Sequence, residues 1–155
     1  MDISTNIGNS VFNFRVCALI IHDNKLLCHK CDKDVYYATP GGRVMTGEPS
    51  EHAIIREMKE ELNKEIISEG LIAIIENFFT ANGKPYHEIL FAYKCEFEDE
   101  QDKSITETLK CIEPGKNVNY EWIDLNDLQH TDIRPAVTKE VLSKKDFPVH
   151  IVNCD

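Results

Sequence analysis

The strongest constraint on this chain is a sharp bend followed by a helix that must carry three neighbouring carboxylates. Pro40-Gly41-Gly42 lacks one backbone N–H and two side chains, so a tight bend is expected there. From Pro49 to Leu62 the residues are good helix formers, with Pro49 suited to the first helical position and Asn63 to a left-handed stop. Within that helix Glu57, Glu60 and Glu61 stand at i, i+3 and i+4 and share an arc of roughly a quarter turn. Ile54, Ile55, Met58 and Leu62 fill the adjoining arc, so the helix buries an apolar stripe with the carboxylates along its seam. Like charges at this spacing each cost a few tenths of a kcal/mol, about 0.2–0.5 in isolated helices. A hard divalent cation offsets that repulsion and keeps coordination sites for water and phosphate.

The remainder reads as strands around this helix. Val11 to Ile21 is an apolar strand, and the Asp23-Asn24 turn leads into Lys25 to Cys28 to make a hairpin. Asp34 to Thr39 reads as a further short strand. Leu71 to Thr80 and His87 to Phe97 flank Asn82-Gly83 and should pair as a long hairpin. Glu96 to Glu107 reads as a solvated acidic loop. Tyr120 to Asp124 is a late strand, Pro135 to Lys144 a second helix opened by proline, and Val149 to Val152 an edge strand. There is no internal repeat and no low-complexity linker, so one domain over residues 1–155 is expected.

Charge narrows the partners. The chain has 155 residues, 42% of them hydrophobic, and a formal charge of −10. Nucleic acid and anionic membranes are therefore excluded as main partners, and an anionic substrate would need metal ions to bridge it. The start carries no signal-peptide pattern and no window is long and apolar enough to span a bilayer, so a cytoplasmic protein is expected. The six cysteines are expected to be reduced. Cys28 and Cys31 form a CxxC, the spacing of half a zinc site, but no second CxxC or HxxxH pair accompanies them, so the two thiols are expected to pack or face solvent near a strand end.

An ExxEE run alone is common on solvated helix faces. Its surroundings are not: Gly42, five residues, Glu48, seven residues, then Arg56-Glu57-Met58-Lys59-Glu60-Glu61. This stretch resembles the Nudix box, G-x5-E-x7-R-E-U-x-E-E-x-G-U with U aliphatic. It departs only at the end, where Asn63 replaces glycine and Lys64 an aliphatic residue. The PGG bend and the late Glu121-Trp122 strand before a helix are also similar to the Nudix hydrolase family. The resemblance implies an α/β (α+β) fold, a mixed β-sheet sandwiched between α-helices. It implies a Mg²⁺-dependent hydrolase, with Mn²⁺ as the alternative ion, cleaving a phosphoanhydride bond in a nucleoside diphosphate linked to another moiety.

Hydrolysing a pyrophosphate needs neutralised oxygens, an in-line water and a base, which carboxylates and divalent ions supply without a covalent nucleophile. By the resemblance, Glu60 and Glu61 are the principal metal ligands, Glu57 is a further ligand or the base, and the Gly41 carbonyl adds a backbone ligand. Crowding by like charges should raise the pKa of Glu57, which suits a base. Arg56 and Glu48 are expected to hold these carboxylates in place, and Gly42 to let the backbone approach closely. A further carboxylate from outside the box would be Glu88, Glu113 or Glu121. Tyr86, Phe78 and Phe79 are either core residues or a stacking surface for a base. The marks of family subgroups are missing: the ADP-ribose proline position falls at Phe79-Thr80, Tyr86 is late for the dinucleoside polyphosphate tyrosine, and the NADH array is absent. The alternative function is a non-catalytic Nudix domain that senses a nucleotide metabolite or binds a partner. A homodimer is left open.

Overall fold

A computed structural model describes residues 1–103 and 108–155. Strand β1 (Ser4–Ile7) turns at Gly8 into the long β2 (Ser10–His22), and β3 (Lys25–Cys31) folds back on it. Asp23 and Asn24 both have positive φ, 47° and 60°, the type I′ turn that matches the twist of a hairpin. Strand β4 (Gly41–Arg43) pairs with the middle of β2, and helix α1 (Ser50–Leu62) follows. Strands β5 (Ile66–Ala81) and β6 (Lys84–Phe97) form the expected hairpin about Asn82 and Gly83, again with positive φ at both residues. Next come a short helix α2 (Glu100–Lys103), β7 (Leu109–Lys110), β8 (Val118–Asp124), a 3₁₀ helix at Leu125–His130, α3 (Thr138–Ser143) and β9 (Val149–Cys154).

The sheet order is β7-β8-β3-β2-β6-β5-β9, with β1 and β4 paired to β2 off this path. It is mixed, because β2–β6 and β5–β9 are parallel and the other pairs antiparallel. Alternation along β2 sends Val16, Ala18 and Ile20 to one face and Cys17 and Leu19 to the other. On the first face Ala53, Ile54, Met58 and Leu62 of α1 complete the core; on the second, Leu128, Ile133 and Val141 do so. The sheet is therefore sandwiched between helices, as expected.

Four expectations need correction. The chain bends at Pro40, but Gly41 and Gly42 continue as strand and neither has positive φ. Asp34 to Thr39 forms no named strand; Ala38 bridges His29 and Tyr37 bridges Ile133, because Tyr37 exchanges backbone hydrogen bonds with Asp132 and Arg134. The second helix begins at Thr138 rather than Pro135, whose carbonyl closes a turn onto the Thr138 N–H. The acidic stretch is not loop throughout. Asp99 accepts a hydrogen bond from the Gln101 N–H and starts α2, and Lys64 pairs with Asp102. Its residues 104–107 lie outside the described residues. Lys64, which breaks the aliphatic pattern after the helix, thus anchors α2 in place.

At the end of α1, Asn63 adopts φ 53° and ψ 34° and donates its N–H to the Lys59 carbonyl. This is the left-handed stop expected of it. Asn63→Gly should leave stability unchanged or raised, whereas Asn63→Val should lower it by about 1–2 kcal/mol, measured by urea unfolding.

Candidate active site

Helix α1 places its acidic residues unequally. Glu57 and Glu61, one turn apart, lie on the buried stripe with 7% and 4% of their surface exposed, while Glu60 faces outward with a half-exposed side chain. The three therefore do not form one exposed row. Each of the buried pair is held by a separate clamp.

The clamp on Glu57 is Arg56. Its Nη1 donates to Glu57 at 2.8 Å and to Glu60 at 3.1 Å. Its Nε and Nη2 take both oxygens of Glu48 at 2.7 and 3.0 Å, and Nη2 also reaches the Arg43 carbonyl at 2.9 Å. The planar fork of the guanidinium suits this multiple pairing. Bonding to Glu48 raises the pKa of Arg56, and bonding to Arg56 holds the carboxyl of Glu48 below its ordinary value. The orienting roles expected of Arg56 and Glu48 agree with these contacts.

Glu61 is held by residues from the other end of the sheet. The Tyr120 hydroxyl donates to one oxygen, and Lys116 Nζ lies 2.8 Å from the other and 2.6 Å from Glu113. Burial opposes the charge on Lys116, but its bonds to Glu113 and Glu61 outweigh that and raise its pKa. Lys116 was not foreseen. Its only sequence signal is a turn, Glu113-Pro114-Gly115-Lys116, with nothing to say that it folds over α1.

Burial also raises the pKa of Glu57, with the charge of Glu61 adding to the shift and Arg56 opposing it. The direction matches expectation, but the main cause is desolvation rather than crowding by like charges. Gly42 lies directly against this carboxylate: a Cβ there would sit 2.0 Å from Glu57 Cδ. A Cβ on Gly41 would sit 2.0 Å from the Val16 carbonyl oxygen. Both glycines are required for space rather than for backbone conformation.

These groups line one cleft of about 1150 Å³, which includes Gly41, Gly42, Glu57, Glu60, Glu61, Glu88 and Glu113. Of the three candidate outer carboxylates, Glu113 comes nearest the box. Its ligand oxygen, one of Glu61 and the Cys111 sulfur all lie within 4.8 Å of one another. A hard divalent ion would favour the two carboxylates over the soft Cys111 sulfur. Glu88 also lines the cleft, on the sheet floor. Glu121 does not; it accepts a hydrogen bond of 2.8 Å from the Tyr37 hydroxyl. All six cysteines are free thiols, and Cys28 is enclosed in the second core while Cys31 is only part-buried.

Comparison with known proteins agrees with this geometry. The NUDIX domain family model matches residues 12–144. A MutT NUDIX hydrolase from Burkholderia pseudomallei superposes with a TM-score of 0.66 at 24% identity, covering 86% of this chain and 98% of that one. An ADP-ribose pyrophosphatase from Streptococcus suis gives 0.62 at 14% identity, covering 91% and 98%. A UDP-X diphosphatase gives 0.63 at 18% identity, covering 95% and 69%. The chain belongs to the Nudix family. The class expected from its sequence, a Nudix pyrophosphohydrolase, stands with that membership. Among the described residues no helix is long and apolar enough to cross a membrane.

The pairing of Glu48 with Arg56 has a pH signature. Because Glu48 titrates below its ordinary 4.5 in the folded state, the stability it contributes is complete above that value and is lost as pH falls through the lowered one. Urea unfolding should show wild type more stable than Glu48→Gln at neutral pH, with the gap narrowing below about pH 4.5.

Proposed function

We propose that the chain is a single-domain, divalent-metal-dependent hydrolase of a phosphoanhydride bond in a nucleoside diphosphate linked to another group. Nucleoside triphosphates, nucleotide sugars and dinucleoside polyphosphates are the candidate substrates, and a cytoplasmic location suits them. One observation carries this reading: Glu57 and Glu61 are buried carboxylates lining the same cleft as the close-approach backbone of Gly41 and Gly42.

The residues fit a metal. Carboxylate oxygens are hard donors of the kind Mg²⁺ and Mn²⁺ take, and the cleft wall at α1 offers three of them with Glu113 nearby. Glu60, Glu61 and the Gly41 carbonyl would hold it, with Glu57 as a further ligand or the base. When bound, a divalent cation supplies Lewis-acid neutralisation of the phosphate oxygens and lowers the pKa of a bound water.

The remaining chemistry belongs to the side chains. Glu57, made more basic by burial, accepts a proton from the attacking water. Arg56 keeps that carboxylate turned into the cleft and ties it to Glu48. Lys116, in the same cleft, adds a positive charge for the substrate phosphates.

A panel of nucleoside triphosphates, ADP-ribose, nucleotide sugars and dinucleoside polyphosphates, assayed for phosphate and pyrophosphate with Mg²⁺ or Mn²⁺, tests the proposal. Turnover abolished by EDTA is expected, and no turnover on the whole panel would refute it. Glu57→Gln should lower kcat by about a hundredfold or more; a change below about threefold removes Glu57 from the chemistry. The metal role of Glu60 is read from thermal melts. At about ten times its dissociation constant, Mg²⁺ should stabilise wild type by roughly 1.4 kcal/mol, about 2–4 °C in Tm, and Glu60→Gln much less. NaCl at matched ionic strength should not reproduce the shift. Equal shifts in both proteins would show that Glu60 does not bind the ion.

A further inference from the structure

The face of the sheet beneath the cleft carries a row of polar residues that the hydrolytic machinery does not use. Register pairs Asn13 with Glu88, Glu88 with Asn77 and Asn77 with Asn153, so one rung crosses β2, β6, β5 and β9. Paired residues project to the same face, and all four are buried. Two residues along, the same face carries Leu90 and Ile75 of the second core, with Arg15 opposite Leu90 on β2 and also lining the cleft. The rung is therefore where that core gives way to the cleft, and Asn77 and Glu88 both line it.

Its hydrogen bonds are incomplete at one atom. Asn153 Nδ2 donates to Asn77 Oδ1 at 2.8 Å, and Asn77 Nδ2 donates to Glu88 Oε1 at 3.1 Å. At the far end Ser4 Oγ donates to Asn13 Oδ1 at 2.6 Å. Glu88 Oε2 is buried and has no partner, although the residue is only 5% exposed. A carboxylate oxygen left unpaired out of water is costly, so this group is set for something that arrives. The terminal torsion of glutamate is two-fold, so either oxygen can face Asn77 while the other turns to the cleft.

The chemistry of the arriving group follows from the acceptors left over. An ionised carboxylate has about four lone-pair sites and no donor, and Asn77 uses one of them. Two adjacent donors can be accepted side by side. One rung further out on the same face, Phe79 is stacked on Tyr86 with ring centroids 4.9 Å apart, and Phe79 lines the cleft. A flat apolar surface beside a carboxylate suits a planar ring with donors on its edge.

We infer that Glu88 is a specificity residue, held by the Asn77–Asn153 rung, that accepts a pair of neighbouring hydrogen-bond donors from the non-reacting end of the substrate. Such a pair is carried by the N1–H and 2-amino edge of a guanine ring or by the vicinal hydroxyls of a sugar. The inference rests on the hydrolase reading only in placing the reacting phosphates at the α1 end of the same cleft.

The test is direct binding in EDTA, by calorimetry, of GMP, IMP and dGMP to wild type and Glu88→Gln. IMP lacks the 2-amino donor and dGMP lacks the 2′-hydroxyl. Wild type should bind GMP at least about tenfold more tightly than one of the other two, and Glu88→Gln should erase that difference. Weak binding of IMP assigns the ring edge, and weak binding of dGMP the diol. Thermal melts guard against misfolding: a neutral amide replacing an unpartnered carboxylate should leave stability equal or higher. Equal affinity of wild type for all three ligands, no binding of any, or discrimination that survives in Glu88→Gln each overturns the inference. A uniform loss across the three ligands would reveal a purely structural role and also overturns it. Wild-type turnover is measured separately, so hydrolysis without discrimination refutes only this inference, and discrimination without hydrolysis refutes only the proposed reaction.

Discussion

The guanidinium of Arg56 is the interaction on which the site depends. It reaches the last residue of β4 through the Arg43 carbonyl, the following loop through both oxygens of Glu48, and its own helix through Glu57 and Glu60. One side chain thus fixes the strand, the loop and the helix relative to one another. Without it, the buried carboxylate of Glu57 would lose its cation and the loop its tether to α1. A lysine could not substitute, since a single ammonium presents no planar fork to a carboxylate and a carbonyl together.

The sheet divides structural and functional duties between its faces. Its first face is sealed by α1 through Ala53, Ile54, Met58 and Leu62, which fixes the helix so firmly that Glu57 and Glu61 have little freedom. Its second face is apolar over the middle of β2, β5 and β6 and becomes polar at one end. Strand β2 serves both faces, giving Val16 to the helix side and Cys17 to the other while pairing with Gly41 and Gly42 of β4. Helix α1 and the cleft floor are therefore referenced to the same strand.

What the sequence made legible follows from how local each signal is. Helix α1, its Asn63 stop and the two type I′ hairpins depend on neighbours within a few residues, and all appear where they were expected. The spacing from Gly42 to Glu61 likewise placed Arg56 against Glu48. Non-local facts were hidden. Nothing in the chain shows that β2 lies parallel to β6, which brings Asn13 beside Glu88, or that the turn bearing Lys116 folds over Glu61. The strand expected at Asp34 to Thr39 is split between two single bridges, since Ala38 pairs with His29 while Tyr37 takes its partners from a segment about a hundred residues away. Glu88 stood out as a charge in an apolar run, but its environment depends on strands that are distant in sequence.

The two glycines of β4 set a limit on how this protein can change. Every single-nucleotide missense change in a glycine codon introduces a side chain, and at Gly41 and Gly42 even the first carbon of that side chain would overlap Val16 or Glu57. At Gly41 an added side chain meets fixed backbone, and at Gly42 it must displace the Glu57 carboxylate. The wall formed by Asn77, Phe79 and Glu88 differs, since side chains rather than main chain face the cleft there. Divergence to a new substrate in descendants of this chain would have to proceed through that wall, with the reaction end of the cleft inherited unaltered.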